Sequence, residues 1–574
     1  MKTNIKFHKS FTLAIATLGI LNSCAEFENR EMFVDKPQSI IDQETRDSYE
    51  VLKKYIDYST QPNFKLGAEI NIADIQNNTL LYRLLNTHFN EYSITLGALN
   101  HNTNVLTDGT INTEAIDNAL SKNDTTPRFI HAGHLVWHEN QQDGYLNKLI
   151  ANVILPGISG IDNVVDFEKD AVGTSYPTNV NNATAKVALD PIATGNSGKV
   201  LHILKNPSTV FPQFKITLPA GRKLAYYKNV TIDFKGDGCC GFYGSGMRMA
   251  ITENYGNPNL TGYGSPQSFG IPINAWGRGM MILPIANLNL TPAQKELNTF
   301  VLTIGSQTGA PDYMIDNIKM NWEIPGQTIV KTPEEKKEII TNEMDKWLKS
   351  IGETGKNRIN SWSVVYQPMD NNNPSLLRGN PSGAALPANT FYWQDFLGKD
   401  YAAIAINKIK QYSNQSDKIY ITETNLDEYP DKIDGLKDFI AYTEQKGAKV
   451  DGIATEFALS FDSDKSKVEN ALSKLASTGK LIKISALDIG IGVNITSATP
   501  SFYVQQAEMY KWFVKVYNSN IPANQRGGIT FRSPVDQLTS STWRPNEPIG
   551  IFTNRNGYQR KPAYIGVIEA FQNK

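Results

Sequence analysis

Three carboxylates, Glu423, Glu456 and Asp488, stand at or just past the ends of short apolar, β-branched runs. Asp and Glu side chains gathered around one bond can serve as general acid, general base or nucleophile. They gather only if those runs are neighbouring strands of a parallel barrel, whose C-terminal face is where active sites are built. The histidines promise less. His134 and His138 read as hydrogen-bonded structural side chains, and no Cys/His pair stands at zinc-ligand spacing.

The elements that must position these groups follow from the pattern of the chain. Strand candidates are Phe64 to Ile70, His88 to Thr95, Arg128 to Trp137, Trp362 to Tyr366, Lys418 to Thr422, Val450 to Phe457, Leu481 to Leu487 and Gly528 to Phe531. Helical periodicity covers Glu334 to Ile351, Tyr401 to Ser413, Gly435 to Lys446, Lys465 to Ser477 and Phe502 to Tyr517. Strands alternating with helices argue a parallel sheet, and eight of them argue an α/β fold, a closed (β/α)8 TIM barrel. Between the third and fourth strands the alternation breaks. From about 155 to 325 the chain turns to Gly, Asn, Thr and Tyr around short runs: Val200 to Ile203, Phe214 to Leu218, Val230 to Phe234, Met247 to Thr252, Thr299 to Ile304 and Asp316 to Trp322. That pattern predicts an inserted all-β jelly-roll sandwich. A barrel loop tolerates such an insertion because its ends lie close together.

The 574 residues suffice for more than one buried core. A net charge of -1 without long runs of one sign excludes nucleic acid and an anionic membrane surface as electrostatic partners. At the N-terminus Lys2, Lys6 and Lys9 precede an apolar stretch from Phe11 to Leu21 and then Leu21-Asn22-Ser23-Cys24. This resembles a bacterial lipoprotein signal over residues 1–24, with cleavage before Cys24 and acylation of its thiol. Glu26 and Glu28 resemble the export signal of surface lipoproteins in Bacteroidetes-type bacteria. The expected location is therefore the outer membrane, lipid-anchored and cell-surface exposed, with residues 25–60 as a polar tether that includes a short helical pattern near Asp47 to Tyr58. The other two cysteines, Cys239 and Cys240, are adjacent and either form a strained vicinal disulfide or stay free.

Motifs in order along residues 61–154 and 326–574 give the barrel a resemblance to glycoside hydrolase family 10, the endo-β-1,4-xylanases. They are Phe64 to Gly67, Phe89-Asn90, Leu135-Val136-Trp137-His138, Trp362-Ser363-Val364-Val365, Pro368-Met369-Asp370, Asp451-Gly452-Ile453, Ile484-Ser485, Leu487-Asp488, Gly528-Ile529-Thr530, Trp543-Arg544 and Lys561-Pro562-Ala563-Tyr564. The insert, 155–325, resembles a carbohydrate-binding module of families 4 and 22. In such modules the places of Glu168 and Asp316 often hold a structural calcium, whose hard oxygen ligands these carboxylates would supply.

The resemblance also marks what is missing. Its fourth strand ends in a general acid/base Glu where this chain has Gln367, and its seventh carries a nucleophilic Glu where this chain has Ala486. Retaining hydrolysis needs both carboxyls, about 5 Å apart. The segment that grips sugars after the second strand becomes Ser93 to Asn100 without the family's Glu, Asn or Lys, and a cleft Trp becomes Arg532. A cleft His is displaced by one position to His134, which in a regular strand turns the side chain to the opposite face. Two expectations follow, beside a third in which the barrel is a rigid spacer that holds partner proteins at the membrane. The first is a surface protein that captures xylan or a related hemicellulose, with an inactive barrel and a glycan-uptake complex as a further partner. Trp137, His138, Tyr366 and Trp543 would then line the old cleft, and Tyr243, Tyr263 and Trp276 the insert's platform. The second is a divergent endo-xylanase using relocated carboxylates among Glu423, Glu456 and Asp488, with Arg532 neutralising Glu456 in the first case.

Overall fold

The computed structural model describes residues 35–94, 97–123, 128–180, 184–191, 198–204, 210–237, 247–263, 275–306, 312–536, 544–554 and 557–574. Contacts divide the chain into two units, 1–150 with 332–574, and 151–331.

The first unit is a closed barrel of eight parallel strands. They are β1 (Lys65–Glu69), β2 (Glu91–Ile94), β3 (Phe129–Val136), β4 (Ser361–Tyr366), β5 (Lys418–Thr424), β6 (Gly452–Ser460), β7 (Leu481–Gly490) and β8 (Arg526–Phe531). Closure is made where β1 pairs β8, with Lys65 opposite Gly528 and Ala68 opposite Phe531. Gly528 has φ +127°, and a Cβ there would meet the Lys65 backbone oxygen at 2.1 Å, so the seam requires glycine. The helix Pro333–Gly355 starts on a capping box between Thr332 and Glu335, with proline at its first turn. It buries Ile340, Met344, Trp347, Leu348 and Ile351 along one stripe. Trp347 Nε1 then donates to the Leu135 carbonyl at the end of β3, 2.9 Å away.

Two predicted boundaries move. His88 closes the helix Leu80–His88, so the second strand begins only at Glu91. The N-terminal helix is Gln38–Asp47, earlier than its expected place, and Leu52–Tyr55 forms a single 3₁₀ turn. The segment before residue 60 is also bound to the barrel. Leu52 and Ile56, four residues apart, enter its core. Tyr564 Oη donates to the Glu50 carbonyl at 2.8 Å, and Arg560 donates to the carbonyls of Arg46 and Asp47 at 3.0 and 3.2 Å.

The second unit is a sandwich of two antiparallel sheets around one core. One sheet runs in the order Thr261–Tyr263, Met247–Thr252, Thr299–Ser306, Gln213–Thr217. The other runs Gly277–Pro284, Tyr227–Asp237, Asp312–Ile324, Lys199–Leu204, Thr184–Leu189, with Ile158–Val165 also paired to Asp312–Ile324. Alternation sends Ile232, Phe234, Tyr313 and Ile315 into the core and leaves Asp233 and Asp316 on the outer face. A short ribbon, Val153–Leu155 with Gln327–Ile329, joins the ends of this unit.

Candidate functional site

At the C-terminal end of the barrel the fourth strand stops at Tyr366, and Gln367 turns out of it with φ +52°. Its amide N–H donates to the Thr422 carbonyl at 2.8 Å, fixing the turn against β5. The side chain is used at both ends. Its Oε1 accepts from Trp137 Nε1 at 3.2 Å and its Nε2 donates to Thr424 Oγ1 at 2.9 Å. An amide suits one donor and one acceptor; it carries no proton that titrates. Ala486 is buried on β7 directly beside Glu456 of β6.

Glu456, paired with Ala486 across the strands and lining one cleft with Gln367, is fully engaged. Arg532 Nη2 forms an ion pair with its Oε2, Tyr366 Oη donates to its Oε1 at 3.0 Å, and His134 Nε2 stands 3.8 Å from Oε1. Arg532 Nε also lies 3.6 Å from Glu69 Oε2. Burial pushes the Glu456 carboxyl up, but the Arg532 guanidinium and the hydrogen bonds from Arg532 and Tyr366 outweigh it and hold it below the ordinary range. It is a carboxylate at neutral pH, unsuited to donate a proton.

The other two carboxylates hold loops. Glu423 is buried, pairs with Lys432 at 2.9 Å and accepts the amides of Met369 and Thr424 at 2.8 and 2.9 Å. That clamps the segment after Gln367 onto β5. Asp488 accepts the Ser533 amide at 2.9 Å and its hydroxyl at 3.2 Å, tying β7 to the segment after β8. Burial raises its carboxyl to about 7 despite Arg532 and Ser533.

The aromatic groups around this end are placed unevenly. Trp137 is half-buried and meets Tyr366 edge to face, with centroids 5.0 Å apart. Tyr366 is 8% exposed, and His134 covers one of its faces at 3.5 Å. His138 is buried and stacks on Tyr392 at 5.3 Å. Tyr366 and His138 are therefore packed rings, whereas Trp137 is only half-buried. Trp543 lies outside the described residues. His134 corrects the expectation that its displacement turns it away from this end. Between β3 and β4, Ser363 pairs Gly133 but Val365 pairs Val136, so three steps on β3 oppose two on β4. Such a bulge resets the alternation and re-aims the side chains beyond it. A cleft of about 460 Å³ opens beside these groups, lined among others by Gln367, Asn425, Glu456 and Arg532.

In the sandwich, Trp276 is half-buried; its Nε1 donates to Asp190 Oδ1 at 3.1 Å, and the Arg278 guanidinium lies 4.9 Å from its ring centre. Arg278 in turn faces three carboxylates, Asp233 at 3.1 Å, Asp190 at 3.3 Å and Asp316 at 3.7 Å. Sequence reading named Trp276 but missed this group; the available signal was Arg278 two positions on, beside the strand carrying Asp233. Tyr263 sits on an edge strand, and its hydroxyl donates to the Pro284 carbonyl at 2.9 Å. Tyr243, Cys239 and Cys240 lie outside the described residues, as do Cys24, Glu26 and Glu28. The calcium ligands do not fit an ion. Asp316 is buried against Arg278 and Asn317, which already supply positive charge and a hydrogen bond, while exposed Glu168 faces the Lys199 amide at 3.4 Å. Among the described residues no group of three or more His, Cys, Asp or Glu is placed to hold a metal.

Five histidines of the barrel are buried in the neutral form. Burial lowers His134 to about 4 and His88, His101 and His138 to about 3, and it carries His131 well below its usual value. A histidine depressed in the fold binds its proton first in the unfolded chain, so stability is lost as pH falls from about 6.5 towards 4. Asp488 opposes this in part, since an acid raised in the fold gains stability as pH falls through 7. The expected result is a barrel denaturation midpoint that drops steadily between pH 7 and 4.5; a midpoint flat or rising over that range would contradict it.

Residues 320–570 match the family model "Glycosyl hydrolase family 10". The chain is 25% identical over 233 residues to endo-1,4-beta-xylanase A of Thermoanaerobacterium saccharolyticum, covering 40% of this chain and 18% of that protein. It is 22% identical over 281 residues to endo-beta-1,4-xylanase Xyn10C of Cellvibrio japonicus, covering 45% and 43%. It thus spans less than half the length of either relative. Among solved structures, xylanase B from Clostridium stercorarium F9 superimposes with TM-score 0.50 at 13% identity, over 91% of this chain and 100% of that one. A family 10 structure from Paenibacillus barcinonensis gives 0.50 at 13%, over 91% and 97%. At such identity the likeness speaks for the fold. The chain therefore carries a (β/α)8 barrel with a domain similar to glycosyl hydrolase family 10, matched over residues 320–570.

Proposed function

We propose that this protein is a glycan-capturing surface lipoprotein that holds xylan-type β-1,4-linked polysaccharide on a catalytically degenerate barrel. One observation carries the reading: the two catalytic positions of the resemblance hold Gln367 and Ala486, and the neighbouring Glu456 is tied to Arg532 and Tyr366. The substrate class comes from the relatives' names and from Trp137 and Trp276, the half-buried aromatic groups at the barrel end and in the sandwich. A panel of soluble polysaccharides, run in parallel for binding and for release of reducing ends, tests it. Binding to xylan without release supports capture; release above a buffer control supports the divergent hydrolase.

Affinity is assigned chiefly to the sandwich, which has its own core. Residues 151–331 alone should retain most xylan binding, and Trp276→Ala should weaken it by about 1 to 3 kcal/mol, the scale of a lost aromatic contact in a binding site. Full binding by the barrel alone would put the function in the other unit. The outer-membrane placement rests on Cys24: Cys24→Ser should release the protein from the membrane fraction with its folding unchanged. Protease added to intact cells should digest the native form; full protection until the outer membrane is opened would place it in the periplasm. At the surface, a glycan-uptake complex is its natural partner.

A further inference from the structure

A further cavity on the barrel lies away from its C-terminal end. It measures about 950 Å³, and its walls include Gln61, just before β1, and Arg526, the first residue of β8. That places it at the opposite, N-terminal end of the strands. The helix Pro500–Asn520 contributes Trp512 and Lys515, and Lys465 opens the helix Lys465–Ala476.

Its charge is unbalanced. Lys511 is satisfied by Glu569 at 2.7 Å. Lys465, Lys515 and Arg526, by contrast, form no ion pair among the described residues. Arg526 is spread over neutral acceptors, the Ile521 carbonyl at 2.9 Å and Gln61 Oε1 at 3.2 Å, and burial lowers its pKa. The acids on the wall, Asp57 and Glu508, leave an excess of cations; Asp57 is already held by the Ser59 amide and hydroxyl. Beside the cations lies a flat ring: Trp512 is half-buried, with Lys465 Nζ 5.1 Å from its centre. A concave wall focuses the field of such charges. A mostly polar recess with one aromatic face suits a hydroxylated, charged ligand better than an apolar one.

We propose that this cavity is a second binding site, for an acidic saccharide whose ring packs on Trp512 and whose carboxylates meet Lys465, Lys515 and Arg526. A flat lipid surface also carries anions, but it would not enter a recess between helices. The site is independent of the xylan reading, because it shares no residue with the cleft at Gln367 or with the sandwich.

The test uses the full chain and calorimetry with a galacturonic-acid hexamer, its methyl-esterified form, and vesicles containing anionic phospholipid. The acid form should bind, and weaken as salt is raised; the neutral ester should bind at least about fivefold more weakly. Lys465→Ala combined with Lys515→Ala should weaken the acid form about fivefold to tenfold while leaving the ester unchanged. Trp512→Ala should weaken both forms, and Trp276→Ala neither. Lys465 is exposed and Lys515 half-buried, and an unchanged circular dichroism spectrum of the double variant would establish that it folds. Equal binding of acid and ester, an unaffected double variant, or retention on vesicles alone would overturn the proposal. Loss of xylan binding with this discrimination intact would sink the capture reading and leave this site standing.

Discussion

Purified protein from Glu26 onward should release no reducing sugar from xylan above a buffer control. General acid/base assistance alone is worth about 10² to 10⁴ in rate, and here the covalent route is missing with it. Turnover at least about 10⁴-fold below that of an intact retaining enzyme is therefore expected. Gln367→Glu together with Ala486→Glu should not restore it. A Glu at 486 would stand beside Glu456, which is its partner across β6 and β7, and two carboxylates would then compete for Arg532, raising one pKa. The Glu at 367 would lose the donor that Gln367 gives to Thr424. Measurable hydrolysis that disappears in Glu456→Gln would reverse the conclusion and make Glu456 a relocated catalyst.

The second large effect concerns what replaced catalysis at that place. Arg532→Ala removes the guanidinium paired with Glu456, whose side chain is only 11% exposed. Breaking a buried pair from one side typically costs about 3 to 5 kcal/mol, because the remaining charge has lost its compensation. A loss of about 3 kcal/mol in the barrel's denaturation is expected, taking the low end because Arg532 is 30% exposed. Replacing both partners, Arg532→Met with Glu456→Gln, should recover most of that loss. Glu69, 3.6 Å from Arg532 Nε, sets the remainder. If the double variant is no more stable than Arg532→Ala, the pair does not act as a unit. The pH dependence has a defined sign. A carboxylate held below its ordinary pKa contributes stability that is present above that pKa and lost as pH falls. The Arg532→Ala penalty should therefore shrink under acid conditions.

The sequence by itself determined the barrel. Eight short runs, each long enough for one strand and separated by periodic helices, have few other ways to bury their apolar faces. The same sequence named Gln367, Ala486, Glu456 and Arg532, because identity at a position decides whether a proton can be carried there. Only tertiary structure decided which rings stay open. Tyr366 and His138 read as platforms like Trp137, yet His134 and Tyr392 cover them, and such stacking joins residues far apart in the chain. His134 reaches Glu456 through a bulge that strand alternation cannot foresee. Arg278 gathers Asp190, Asp233 and Asp316 from three separate segments. The N-terminal segment read as a polar tether because its few apolar residues are sparse, and only the barrel's end showed that Leu52 and Ile56 have a place to bury. Residue type sets what chemistry a position is capable of; long-range packing sets which atoms are within reach of one another.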